Sequence, residues 1–345
     1  MQHFNPRTAT DAALRYLQAG IVPLLVGHPA IGKSSIARQI ADMLELELID
    51  TRLSTRDVTF LSGYPFRSEC GTRAIHLPYA EFPVEGSELP EGKRGWLLFF
   101  DELMDISRTM QSAAYEVILD RRVGGKPLHE NCLVMAAGNF TSSGAAANRS
   151  NTALNSRMGR IPISPNFYQW LEDVALPKQY DSRIIAFLSM YPNKLFEFDE
   201  NQDADIPFSA PRTWEFIDKL LDVEPEITDD DQMIFAGSIT PSTAAEFVQF
   251  SKIMNELTPI EDILKEPDAA KIPDSPAMKW AMITSLFNHM DEKEKVIALS
   301  KYVDRYTLDF RILFYRNIIA NHSEYRQVRE IRDHLREITR YIRGD

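Results

Sequence analysis

The chain has 345 residues, 44% hydrophobic and 26% charged, an ordinary composition for one large or two moderate globular domains. Acidic residues outnumber basic ones by 50 to 38, and the net charge of -12 repels a phosphate backbone unless the cations gather in one place. No apolar run approaches the ~20 residues of a bilayer helix, the N-terminus lacks a signal-peptide pattern, and Cys70 and Cys132 cannot build a disulfide framework or a zinc site. Secreted, membrane-spanning and zinc-scaffold classes are excluded, and a cytoplasmic location is expected.

In chain order, short apolar runs at 23–26, 46–50, 96–100, 133–137 and 160–163 read as strands. They alternate with helical patterns, as in a parallel α/β sheet. Residues 33–44 place Ile36, Ile40 and Leu44 on one helical face. Residues 106–119 read as a second helix, followed by a hairpin around Gly124-Gly125. The stretch 54–95 holds too many glycines and prolines for one helix and reads as an insertion of short strands and loops. Beyond residue 170 helices dominate, broken at 198–207, 222–231 and 266–276 by acidic, proline-bearing segments. The tail from Lys301 to Asp345 carries ten Lys or Arg against seven Asp or Glu, a pattern expected of amphipathic helices with solvated faces.

Gly27-His28-Pro29-Ala30-Ile31-Gly32-Lys33-Ser34 matches G-x-x-x-x-G-K-[ST] between an apolar strand and an amphipathic helix. Backbone N–H groups of such a loop, continuing to Ser35, converge on a β-phosphate at the helix N-terminus. Lys33 is suited to neutralise β/γ oxygens and Ser34 to offer a hydroxyl to Mg²⁺, so ATP and Mg²⁺ are the expected cofactors. The run Trp96-Leu97-Leu98-Phe99-Phe100 ends in Asp101-Glu102, and ligands of open α/β sheets bind at the carboxyl ends of strands. Asp101 is expected to hold Mg²⁺ with Ser34, and Glu102 to orient and deprotonate the attacking water. A metabolite kinase has to avoid such a water-activating glutamate, so the pair favours hydrolysis. His28 is read as incidental, because the loop binds through backbone.

With those residues the sequence resembles the AAA+ ATPases, and among them the MoxR-like branch. Met135-Ala136-Ala137-Gly138-Asn139 looks like the family's sensor 1 strand, which gives Asn139 a γ-phosphate contact. Leu154-Asn155-Ser156-Arg157-Met158 is similar to the segment that supplies the arginine finger; Met158 stands where the family has an aromatic residue, and Arg160 lies close by. Ala210-Pro211-Arg212-Thr213-Trp214 resembles the sensor 2 signature, with Trp214, Ile217 and Leu221 expected to be buried and Arg212 to project. Asp57-Val58-Thr59-Phe60-Leu61-Ser62-Gly63 looks like the site of this branch's pore-facing insertions. The loop 141–152, rich in small residues, departs most from the family pattern.

The resemblance implies an α/β AAA+ P-loop core, a parallel five-stranded sheet between helices, with an all-helical C-terminal lid. The expected divisions are a nucleotide-binding domain over 1–170, a lid over 171–276 and a helical extension over 277–345. It also implies a hexameric ring acting as a chaperone or remodelling motor, with a protein partner that carries a von Willebrand factor A domain. Two other functions are open to the sequence. A nucleic-acid motor would use Lys93, Arg94, Arg121, Arg122 and Lys126, against the acidic balance; a nucleotide-switched scaffold would hydrolyse ATP poorly.

Overall fold

The computed structural model of the chain describes residues 3–140, 157–201, 203, 205–253 and 257–342. The chain divides into two compact units, Met1–Pro165 and Asn166–Asp345.

The first unit opens with helix α1, Pro6–Gln18, ahead of the first apolar run. Its start is written in the sequence: Asn5 and Thr8 form a capping box, and Pro6 occupies the first turn, where its missing N–H costs nothing. Then follow β1, Pro23–Val26, and α2, Lys33–Met43. Next come β2, Glu47–Arg52, β3, Trp96–Asp101, β4, Cys132–Gly138, and β5, Gly159–Pro162. These five strands form one parallel sheet in the order β2-β3-β4-β1-β5. The expected α/β class is therefore borne out. All four residues of β1 and the first five of β3 are buried, as expected where helices cover both sheet faces. On one face Leu24, Val26, Leu98, Phe100, Val134 and Ala136 share a core with Met110, Ala114 and Val117. The alternate residues point to the other face, and α2 packs on β2, β3 and β4.

Several boundaries differ from the sequence reading by one or two residues, and the local chemistry explains the larger shifts. The second expected helix begins at Arg108 rather than 106, because the Ser107 hydroxyl caps it by accepting from Met110 N. It is regular only to Tyr115 and continues as a wider π-turn over Glu116–Asp120. The following hairpin pairs Arg122–Val123 with Lys126–Pro127, and Gly124 and Gly125 both take positive φ in the turn. The 54–95 insertion contains a helical turn, Thr59–Ser62, and an antiparallel hairpin, Tyr64–Arg67 with Ala74–Leu77.

The second unit is helical, with no strand among its described residues. Its core runs from Phe167 to Ile338 and includes residues on both sides of 276. Trp214, Ile217 and Leu221 of the helix Pro211–Val223 are buried, and the Trp214 indole donates to Lys194 O at 3.0 Å. Among the described residues no helix is long and apolar enough to cross a membrane.

Candidate nucleotide site

A parallel sheet delivers the carboxyl end of every strand to one edge. The order β3-β4-β1 places three of the segments singled out above side by side on that edge. Register fixes the level at which they meet: Val26 lies opposite Gly138, and Phe100 opposite Ala136. The loop after β1, the Asn139 side of β4 and the Asp101-Glu102 end of β3 therefore share one locality.

The loop after β1 has the backbone of an anion cradle. Ala30 has φ +63° and Gly32 φ +94°, left-handed conformations that redirect successive N–H groups. Gly32 caps α2 without any side-chain hydrogen bond, so the first helical turn keeps its N–H groups for another acceptor. Gly27 is required by contact: a Cβ there would lie 2.4 Å from Ile31 Cδ1 and 2.9 Å from the Ile163 carbonyl oxygen. Buried Ile31 anchors the loop, and the His28 ring packs edge-on to Phe140 at 4.9 Å. Pro29 and Ser35 are exposed.

Lys33 is buried, an unusual place for an ammonium without acceptors. Its Nζ donates to Gly27 O and His28 O at 2.8 Å each and to Asn139 Oδ1 at 2.9 Å. Ser34 Oγ donates to Asp101 Oδ2 at 2.9 Å, and Asp101 Oδ1 accepts from Glu102 N at 2.8 Å. Lys33, Ser34, Asp101, Glu102 and Asn139 are thus brought together.

Glu102 has φ +61°, a sparsely populated conformation for a residue with a side chain, at the turn where β3 leaves the sheet. Its carboxylate accepts from Ser54 Oγ and pairs with Arg52 Nε at 3.3 Å. The β2–β3 register explains that pair, because Arg52 lies opposite Asp101. Asn139 Nδ2 donates to Asp105 Oδ2 at 2.8 Å. Arg52, Ser54 and Asp105 were not found by motif. The available signal was weak: a polar end to β2 and a third acid four residues after Asp101.

The acids crowd one another. Partial desolvation and the Asp101 charge push the Asp50 carboxyl above its ordinary value. Partial desolvation also raises Asp105, against the Asn139 hydrogen bond, with Glu102 adding to the rise. Both residues keep substantial solvent exposure, which screens these effects. Among the described residues no group of three or more His, Cys, Asp or Glu side chains could hold a metal alone. Magnesium takes one or two carboxylates and completes its octahedron with water and phosphate oxygens. Ser34 and Asp101 are the residues that would hold it.

Of the expected arginines, two lie before and on β5 and the third belongs to the other unit. Arg157 is exposed in the turn before β5, and residues 154–156 of its segment, like the loop 141–152, lie outside the described residues. Arg160 is half-buried on β5, and its buried Nε has no hydrogen-bond partner. Arg212 belongs to the helical unit, exposed in the first turn of Pro211–Val223, where its charge helps hold the Glu215 carboxyl below the usual range after the Lys219 hydrogen bond.

Comparisons with known proteins add a fold-level likeness only. No known protein family matches the chain, and no curated protein does. Among solved structures, a RuvB mutant of Thermotoga maritima is 18% identical over 75% of this chain and 74% of its own, with a TM-score of 0.35. A candidate ATPase from Cytophaga hutchinsonii is 12% identical over 96% and 87%, with a TM-score of 0.32. A second RuvB mutant of Thermotoga maritima is 16% identical over 97% and 88%, also at 0.32. At such values the likeness is loose, and the chemistry of the site rests on its own side chains.

The loop geometry generates a direct expectation. Gly27→Ala should leave the fold intact yet weaken nucleotide binding by about tenfold or more, because the new methyl displaces Ile31 or the β5 end. Fluorescent-nucleotide titration checks it, and unchanged affinity would show that the loop does not form the cradle.

Proposed function

We propose that this chain is an ATP-hydrolysing ring ATPase of the AAA+ class, of MoxR type, acting as a chaperone or remodelling motor on a protein partner. The observation that carries the reading is the convergence of Lys33, Ser34, Asp101 and Asn139 through direct hydrogen bonds at the ends of three adjacent strands. A phosphate loop followed by a strand-end carboxylate pair is what nucleotide hydrolysis demands. The loop amides and Lys33 neutralise phosphate charge, Ser34 and Asp101 hold Mg²⁺, and Glu102 takes the proton of an attacking water. Magnesium, held by Ser34 and Asp101, would supply positive charge that offsets the phosphate charge. Asn139 presents an amide toward the γ-phosphate side.

Arg157 lies exposed before the sheet's edge strand, a position suited to a neighbouring subunit's site. Such a finger, supplied in trans, is worth ~10³–10⁵ in rate. This makes a homo-oligomer, a hexameric ring in the family pattern, part of the proposal, with Arg212 contributed by the helical unit. A protein bearing a von Willebrand factor A domain is the partner the MoxR resemblance suggests. Net charge disfavours nucleic acid, and the Arg121 guanidinium is engaged internally, donating to His129 O at 3.1 Å and Cys132 O at 2.6 Å.

Two experiments test the reading. Lys33→Ala should abolish nucleotide binding, whereas Glu102→Gln should bind ATP and hold it unhydrolysed. Hydrolysis at the parental rate by Glu102→Gln would remove the assigned base. Arg157→Ala should bind ATP but hydrolyse little, and mixing it with Glu102→Gln should restore some turnover, because mixed interfaces pair an intact Glu102 with an intact Arg157. Turnover per chain that is independent of protein concentration, with no rescue on mixing, would contradict the ring.

A further inference from the structure

Asn139 carries two chemically opposite ends on one planar group. The amide oxygen accepts and the amide nitrogen donates, and the two are nearly equal in size. Only the nitrogen end can serve a phosphate oxygen, so the usefulness of Asn139 depends on which way the amide is turned. The environment decides this. A carboxylate at Asp105 can only accept, and it lies 2.8 Å from Nδ2; an ammonium at Lys33 can only donate, and its Nζ lies 2.9 Å from Oδ1. The reversed amide would set oxygen against carboxylate and N–H₂ against ammonium, unfavourable at both ends.

We propose that Asp105 is the positioning residue for Asn139: it fixes the amide so that the nitrogen, with a second hydrogen beyond the one Asp105 accepts, is kept for the nucleotide's terminal phosphate. The fold delivers Asp105 to this place. Leaving β3, the chain turns tightly, with Asp105 N donating to Glu102 O at 3.0 Å and Leu103 N to Ala137 O at 2.9 Å. Gly138 lets the turn lie close over β4, since a Cβ there would meet Met104 Cγ at 2.2 Å. One five-residue segment thus carries the magnesium carboxylate Asp101, the water-activating Glu102 and the residue that orients Asn139. The inference rests on the ATPase reading above.

The test compares Asp105→Ala, Asp105→Asn, Asn139→Ala and the Asp105→Ala/Asn139→Ala double variant in ATP binding and steady-state hydrolysis. A lost orienting partner typically costs about 10- to 100-fold. Asp105→Ala should lower kcat by that much while ATP affinity stays within about twofold, since the Lys33 cradle is untouched. The double variant should be no slower than Asn139→Ala alone, because Asp105 acts only through that amide. Asp105→Asn, nearly isosteric, keeps an acceptor but loses the charge that forbids the reversed amide, and its kcat should fall about threefold or more. Parental kcat in Asp105→Asn, or losses that multiply in the double variant, would overturn the inference while leaving hydrolysis by the parental chain intact. Absence of hydrolysis by the parental chain would instead remove the ATPase reading itself.

Discussion

Parallel strands all point their carboxyl ends to one edge, and strand order then decides which ends are neighbours. Here β4 lies between β1 and β3. That single constraint sets the phosphate loop, Asn139 and the Asp101-Glu102 pair within hydrogen-bonding reach, although 74 residues of sequence number separate Gly27 from Asp101. The same register brings Arg52 of β2 beside Glu102. The strands that carry the site, β1 and β3, are buried in the core up to the ends from which its residues project.

Charge balance explains the local details. Lys33 places one buried amine among several acids, and two loop carbonyls and Asn139 accept from it. Partial burial first, and neighbouring carboxylates second, hold Asp50 and Asp105 above their ordinary values. The left-handed backbone at Glu102 lies where its carboxylate meets Ser54 and Arg52.

Much of this was legible in the sequence because two signals are local. Continuous apolar runs mark strands buried on both faces, and the glycines and lysine of the loop are demanded by backbone geometry within eight residues. The helix start at Ser107 and the capping box of Asn5 and Thr8 were equally local, and a stricter reading of caps would have found both. What was hidden depends on register and on turns. Nothing near Arg52 or Ser54 in sequence announces Glu102, and Asp105 reaches Asn139 only because the chain doubles back over Gly138. The end of the second helix in a π-turn is likewise set by packing against the hairpin after it rather than by propensity.

The central claim is that the edge formed by β3, β4 and β1 binds and hydrolyses a nucleoside triphosphate. Its most direct measurement is a titration of the parental chain with ATP and magnesium by calorimetry, with phosphate release followed in the same samples. The account predicts saturable binding of one ATP per chain and phosphate release that stops when the magnesium is chelated. A folded chain that shows no saturable binding at millimolar ATP, or that releases phosphate equally well without magnesium, would contradict it.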